Sequence, residues 1–271
     1  MKELDLSICV VLYQNNVEEI QALVNFISKT TLTYKLYLVD NSPCDKLKIL
    51  ANTANTEYIF NNKNVGFGHA QNIAIEKALD KSNYHLILNP DISFKAGTLE
   101  NIFAFMEKNK DVGQLMPKVF YPDGKVQKLC KLLPHPIDLI GRRFLGNSKL
   151  IRKRNDQYEL GDFSYNKILD TPNLSGCFMF LRTDVLKTVG GFDNRYFMYL
   201  EDFDLTRRIN KVARTVFYPD AGVVHGYSKG SYKNPTLFRY HIISAIKYFN
   251  KWGWLFDRER DELNKKVLAQ L

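Results

Sequence analysis

The sequence predicts an α/β domain with a mostly parallel central sheet and helices on both of its faces. Along the first half, short apolar β-branched runs alternate with segments of helical periodicity, the pattern of strand–helix–strand units. Two of those runs end in clusters of turn-forming carboxylate and amide residues, Asp40-Asn41-Ser42 and Asn89-Pro90-Asp91. The length of 271 residues, 45 % of them hydrophobic and 25 % charged, suits one such domain carrying a C-terminal extension.

The elements follow in order. Leu6 to Tyr13 is β-rich, with Ile8, Val10 and Val11. Val17 to Ser28 places Val17, Ile20, Leu23, Val24 and Ile27 on one helical face. Tyr34 to Val39 is a second strand and Tyr58 to Phe60 a short third. Phe67 to Leu79 reads as a helix, His85 to Leu88 as a buried strand, and Ala96 to Asn109 as another amphipathic helix. Ligands of such sheets sit at the carboxyl ends of the strands, where Asp40, Asn41 and Asp91 fall.

The region from Gly124 to Thr171 breaks this rhythm and reads as a long insertion or loop on the acceptor side. Between Lys118 and Arg154 stand ten Lys/Arg against Asp123 and Asp138, which accounts for most of the net charge of +9. Such a patch points to an anionic partner: a phosphate, an anionic lipid headgroup or a nucleic acid. Strand and helix patterns resume at Cys177–Leu181, Thr183–Val189, Leu200–Val212 and Thr215–Tyr218. From Phe238 a helix is expected. Phe238, Ile242, Ala245, Phe249, Trp252 and Phe256 form a stripe that fits core packing, a homodimer contact or a membrane surface.

Several classes are excluded. The four cysteines (Cys9, Cys44, Cys130, Cys177) are scattered, so neither a zinc knot nor a disulfide framework is expected, and a reducing cytoplasm is the simplest compartment. No run approaches the ~20 apolar residues of a membrane span. Helix-turn-helix, zinc-finger and RNA-binding signatures are missing, which argues against nucleic acid as the partner of the basic window.

Four stretches carry candidate chemistry. Asp40-Asn41-Ser42 offers a carboxylate and an amide able to hydrogen-bond a planar base or ribose, although the same residues favour ordinary turns. Asn64-Val65-Gly66-Phe67-Gly68 opens a helix with two glycines, which allows close approach of a ligand to the backbone and a phosphate at the helix start. It is neither a dinucleotide fingerprint nor a phosphate loop, since the third glycine and the Gly-Lys-Ser/Thr are missing. Asp91, delivered by a buried apolar strand, suits Mg²⁺ or Mn²⁺ with pyrophosphate oxygens completing the shell, and His225 is a candidate second ligand. Finally Gly190-Gly191-Phe192-Asp193 leads through an aromatic stretch into Glu201-Asp202-Phe203-Asp204. Acids there satisfy a helix dipole, and aromatic neighbours can desolvate one of them toward a general base.

Taken together, Val39-Asp40-Asn41-Ser42, Asn64-Val65-Gly66-Phe67-Gly68, Leu88-Asn89-Pro90-Asp91, Ser175-Gly176-Cys177-Phe178-Met179, Gly190-Gly191-Phe192-Asp193, Tyr199 to Leu205 and His225 resemble, in order and spacing, glycosyltransferase family 2. More narrowly, they resemble its bacterial rhamnosyltransferase-like branch. The resemblance spans about residues 6 to 250. It implies the GT-A fold, a Rossmann-like α/β domain over residues 1–235 (nucleotide-sugar half about 1–115, acceptor half about 116–235), with amphipathic C-terminal helices over 236–271.

The resemblance also implies roles. Asp40 would bind the donor's pyrimidine with Asn41 nearby, and Asn64, Gly66 and Gly68 would line the nucleotide-sugar cleft. Asp91 would hold Mn²⁺ or Mg²⁺ as the last residue of an Asp-x-Asp element, in which Asn89 replaces the first Asp, and His225 would be the later metal ligand. Asp202 would be the catalytic base, supported by Glu201. Gly176 would shape the acceptor side, and Arg239 and His241 would touch the diphosphate.

The implied activity is inverting, metal-dependent transfer of a sugar from a dTDP- or UDP-sugar donor, first of all L-rhamnose from dTDP-rhamnose. The implied acceptor is a lipid-linked or oligosaccharide glycan in bacterial surface polysaccharide synthesis, at the cytoplasmic face of the membrane. A UDP-hexose or UDP-galactofuranose transferase and a non-catalytic nucleotide-sugar-binding subunit are the alternatives.

Overall fold

The computed structural model describes residues 2–141, 149–226 and 235–271. The basic residues Arg142 and Arg143 of the Lys118–Arg154 window lie outside them. The first half alternates as expected: β1 (Leu4–Leu12), α1 (Val17–Ile27), β2 (Tyr34–Asp40), β3 (Thr56–Phe60), α2 (Phe67–Ala78), β4 (Ser82–Leu88), β5 (Ile92–Phe94) and α3 (Thr98–Lys108). The second half contains β6 (Val112–Phe120), α4 (Lys149–Tyr158), β7 (Leu169–Asp170), β8 (Phe178–Arg182), α5 (Thr183–Val189), α6 (Glu201–Asn210), β9 (Arg214–His225), α7 (Pro235–Trp252) and α8 (Arg258–Leu268).

The nine strands of the described residues join one sheet in the order β3-β2-β1-β4-β8-β6-β9-β5, with β7 against β9. The period of two along β1 explains its two-sided burial. Leu6, Ile8, Val10 and Leu12 pack with Ile20, Leu23, Val24 and Ile27 of α1 and with Leu99, Ile102 and Met106 of α3. Cys9 faces the other way, toward Ala70 and Ala74 of α2. Cys9, Cys130 and Cys177 are buried and Cys44 is exposed, all four as free thiols.

The parallel expectation holds for β3-β2-β1-β4. Beyond β4 the sheet is mixed: β8 runs antiparallel to both β4 and β6, while β6 and β9 are parallel. Strand β6 is invisible to alternation because Gly113, Gln114, Pro117 and Lys118 interrupt it. Pro117 stands where the β6–β9 register shifts, the irregularity that lets a central strand tolerate a residue without an N–H.

In its described residues the supposed loop from Gly124 to Thr171 is largely a packed lobe. Cys130, Tyr158, Leu160, Phe163, Tyr165 and Leu169 form a second core with Phe217 of β9. Their irregular spacing hides this from any periodicity argument. Arg154 pairs with the buried Asp138 at 2.6 Å, so part of the basic window is neutralised internally.

The C-terminal helices are bolted to α6. The guanidinium of Arg207, 1 % exposed, makes two 2.7 Å hydrogen bonds to Asp257 and reaches Glu259 at 2.8 Å. It also lies 4.2 Å from the centroid of the Trp252 ring. Ala245 and Phe249 of the expected stripe are buried, but Phe256 lies past the end of α7 and is 94 % exposed. The stripe ends there because Gly253, with φ +103, turns the chain.

Candidate active site

Strand β1 lies between β2 and β4, so the chain winds outward in one direction and returns on the other side, leaving a crevice at the carboxyl ends. From the end of β2, the fully buried Asp40 accepts hydrogen bonds from the Tyr58 hydroxyl at 2.7 Å and the Ser42 N–H at 2.8 Å. A base reaching Asp40 must share or displace that hydroxyl. Asn41 donates to the Gly66 carbonyl at 3.3 Å and accepts from Asn61 at 2.8 Å. Asn64 accepts the Gly66 N–H at 3.0 Å. Asp40, Asn41, Asn64 and Gly66 are therefore one linked cluster.

The glycines of this cluster have a different neighbour from the one their spacing suggests. Gly66 has φ +90, and a Cβ there would stand 2.4 Å from the Phe197 carbonyl oxygen. A Cβ on Gly68 would stand 2.9 Å from that of Phe192. Their close approach is thus to the 192–197 segment rather than to open cleft. Asn72 completes the junction: it accepts the Phe192 N–H at 2.7 Å and donates to the Phe192 carbonyl at 2.8 Å. Two motifs 120 residues apart are joined as one unit.

Tyr199 and Leu200, with φ +71 and +65, then swing the chain into α6. Non-glycine residues in this conformation cost about 1–2 kcal/mol each, and α7 holds them. Ser244 donates to the Met198 carbonyl at 2.8 Å, and the His241 ring stands 5.5 Å from that of Tyr199.

The turn delivers two adjacent acids in different states. Asp202 is half-buried and accepts two backbone N–H groups, from Gly176 at 2.8 Å and Phe203 at 3.0 Å. Burial raises its pKa, opposed by those N–H groups and by the charge of Lys131. Glu201 is 5 % exposed, and its Oε2 has no hydrogen-bond partner. Burial, and then the Asp202 charge, push it up to about 8. The two N–H groups favour placing the negative charge of the pair on Asp202 rather than on Glu201. Asp204, also an acid of this turn, is fully buried and structural: Arg208 at 2.8 Å, Trp252 at 2.8 Å and Lys251 at 2.6 Å engage it.

Opposite stands a mixed nitrogen and oxygen pair. His225 Nε2 lies 3.3 Å from Asp91 Oδ1 and 3.4 Å from Asn89 Nδ2. Among the described residues no group of three or more His, Cys, Asp or Glu is gathered to hold a metal. The donor set nevertheless fits Mn²⁺ or Mg²⁺ of the kind that takes only one or two protein ligands and fills its shell with water and substrate phosphates.

One cleft of about 320 Å³ gathers Asn89, Gly176, Glu201, Asp202, His225 and His241 along its wall, together with Phe67, Tyr199 and Phe203. Asp91 adjoins it through His225. Arg239 is exposed on α7 and is not among the residues along this wall. Lys131 and Gln127 carry no readable signal: both sit in the basic segment without a motif, and only the tertiary structure brings them to Asp202 and His225.

The acid turn and His225 of the His–Asp pair thus share one crevice at the carboxyl ends of the strands. The model for the family described as "Glycosyl transferase family 2" matches residues 7–190, and the chain belongs to that family and is a glycosyltransferase. It is 28 % identical over 243 residues to the rhamnosyltransferase WbbL of Escherichia coli (strain K12), an overlap of 85 % of this chain and 88 % of that protein. It is also 28 % identical over 188 residues to N-acetylglucosaminyl-diphospho-decaprenol L-rhamnosyltransferase of Mycobacterium tuberculosis (strain ATCC 25618 / H37Rv), covering 64 % of this chain and 59 % of that one. Among solved structures, GalNAc-T7 with UDP, GalNAc and Mn²⁺ superposes with a TM-score of 0.64 at 14 % identity, over 93 % of this chain and 50 % of that one, a likeness of fold.

Proposed function

We propose that this glycosyltransferase is an inverting, metal-assisted rhamnosyltransferase, moving L-rhamnose from dTDP-rhamnose to a lipid-linked glycan acceptor in bacterial surface polysaccharide synthesis. The rhamnosyl assignment draws on the names of the two relatives. The mechanism draws chiefly on one observation: Asp202, anchored by two N–H groups beside the buried Glu201, shares one cleft with His225.

Asp202 takes the proton of the acceptor hydroxyl as that oxygen attacks the anomeric carbon. The bond from that carbon to the nucleoside diphosphate breaks on the opposite face, so the configuration inverts. Burial of Glu201 favours its protonated form and would leave the negative charge of the acid pair on Asp202. A divalent cation held by Asp91 and His225 would neutralise charge on the departing diphosphate. Asp40 and Asn41 would meet the base, and His241, on the cleft wall, would approach the diphosphate.

Membrane proximity is part of the same reading. Among the described residues no helix is long and apolar enough to cross a membrane. Leu255 and Phe256 are 74 % and 94 % exposed beside Trp254, and would rest at the headgroup level while the basic window faces the anionic surface.

A donor panel of dTDP-rhamnose, UDP-galactose, UDP-glucose, UDP-N-acetylglucosamine and UDP-galactofuranose, with Mn²⁺ or EDTA, tests the reading by thermal shift and nucleoside-diphosphate release. Rhamnose transfer with an inverted anomeric centre, lost in EDTA, is expected. Turnover of a UDP-sugar alone would replace the donor, and activity undiminished by EDTA would remove the metal.

A further inference from the structure

Gln127 lies in the Gly124–Thr171 region, to which the proposed reaction assigns no part, yet it is 1 % exposed and sits directly behind His225. Its Oε1 stands 3.1 Å from His225 Nδ1. Its Nε2 donates to the His225 carbonyl at 2.9 Å and to the Phe120 carbonyl at 3.2 Å. The amide has one orientation that satisfies these contacts. Turning it over would set its NH₂ against the imidazole and its oxygen against two carbonyls, leaving buried groups unpaired at ~1–3 kcal/mol each.

An amide oxygen only accepts, so the atom facing it must carry the proton. That places the hydrogen of neutral His225 on Nδ1 and turns the Nε2 lone pair toward Asp91 Oδ1, 3.3 Å away. The second bond of Gln127, to the backbone carbonyl of His225 itself, ties the ring to the end of β9, which β5 holds through Ile92, the residue after Asp91. One buried side chain therefore determines the tautomer, the ring plane and the backbone position together. Groups that hold the distal nitrogen of a metal-binding histidine in this way typically govern metal affinity by 10–100-fold.

We infer that Gln127 is a positioning residue that locks His225 in its Nδ1–H tautomer and aims Nε2 at Asp91, so that the two present a preorganised site for a divalent cation. The cation part rests on the function proposed above; the tautomer part does not, and two measurements separate them.

The first is ¹⁵N NMR of histidine-labelled full-length protein without metal, at a pH where imidazole is neutral, with His225→Ala used for assignment. The wild-type ring is expected to be protonated on Nδ1. Gln127→Leu is expected to lose that preference, and Gln127→Glu, which keeps an acceptor beside Nδ1 and can hold its second oxygen protonated toward the two carbonyls, to retain it. An Nε2–H ring in the wild type, or an unchanged tautomer in Gln127→Leu, overturns the proposal. If the leucine variant does not fold, the wild-type and glutamate spectra still decide.

The second is Mn²⁺ titration by electron paramagnetic resonance, with and without nucleoside diphosphate. A 10–100-fold weaker affinity in Gln127→Leu, largely restored in Gln127→Glu, is expected. Equal affinity in wild type and Gln127→Leu overturns the metal-positioning part. Failure of the wild type to bind Mn²⁺ overturns that part together with the metal reading, while an Nδ1–H ring lost in Gln127→Leu would still uphold the tautomer lock.

Discussion

The Gly176 N–H donates to Asp202 Oδ2 at 2.8 Å, and a side chain on Gly176 would begin 3.1 Å from Asp202 Cβ and 3.3 Å from that same oxygen. The backbone can approach the carboxylate this closely only because residue 176 lacks a Cβ. Asp202→Asn is expected to lower kcat by ~10²–10⁴-fold, the usual cost of losing a general base, with donor affinity by calorimetry unchanged. Gly176→Ala displaces the carboxylate without removing it and is expected to cost roughly 10–100-fold in kcat. Full activity in Asp202→Asn would exclude it as the base.

The raised pKa values at the acid turn give two pH dependences. Because burial raises Asp202 in the folded enzyme, the acid limb of kcat is expected to lie above the ordinary aspartate range of ~3.9. Glu201, pushed up to about 8, binds its proton more tightly folded than unfolded. Its contribution is therefore fully present at low pH and is lost as pH rises from the ordinary glutamate range through 8. Thermal melts are expected to show wild type and Glu201→Gln similar near pH 5, with the variant gaining on the wild type toward pH 9. A constant difference across that range would contradict the buried-acid assignment.

The Arg207 bridge to Asp257 and Glu259 joins the catalytic helix α6 to the C-terminal helices. Arg207→Leu leaves Asp257, 7 % exposed, without its main partner, and breaking a buried pair in this one-sided way costs ~3–5 kcal/mol. Urea denaturation monitored by tryptophan fluorescence is expected to register that loss.

Neighbouring glycines are expected to respond for different reasons. A Cβ at Gly191 would lie 2.3 Å from Asn72 Oδ1, which already accepts the Phe192 N–H. Gly191→Ala is expected to lose ~1–3 kcal/mol by overpacking. Gly190 has open space around it but φ +78, so Gly190→Ala is expected to lose about 1–2 kcal/mol through backbone strain alone. The Gly191 defect should be partly relieved by Asn72→Ala and the Gly190 defect should not, as a double-mutant cycle measures.

Liposome co-sedimentation tests the exposed tip. Replacing Trp254, Leu255 and Phe256 together by Ser is expected to abolish most binding to anionic vesicles. High salt is expected to weaken the wild type's binding without abolishing it, since the apolar part is unscreened. Unchanged binding of the triple variant would remove the tip from this role.

Much of the active-site reading was legible because strand ends and helix starts are local. Asp40, Asn89 and Asp91 follow apolar runs whose burial is plain from composition, and Glu201 and Asp202 open a helix whose dipole favours acids. What is not legible in this way is which neighbours come from elsewhere in the chain. The side of Gly66 and Gly68 on which a Cβ would stand is closed by Phe197 and Phe192, and Arg239 is exposed on α7. Strand β6 and the packed lobe after it escaped notice because Pro117 and irregular apolar spacing erase the periodicity on which such reading depends.

The sequence by itself determined the family, the α/β frame and the identity of the cleft acids, since motif order and hydrophobic period are properties of the chain alone. Only the tertiary structure decided how those acids divide their work. Asp202 and Glu201 are adjacent and chemically alike. They differ because Gly176, 26 residues away, brings an N–H to one of them, while Oε2 of the other is buried without a hydrogen-bond partner among the described residues. Likewise His225 acquires a preferred tautomer only when Gln127, 98 residues earlier, folds in behind it. Protonation states are set by solvation and by hydrogen bonds through space, and those exist only once the chain has folded.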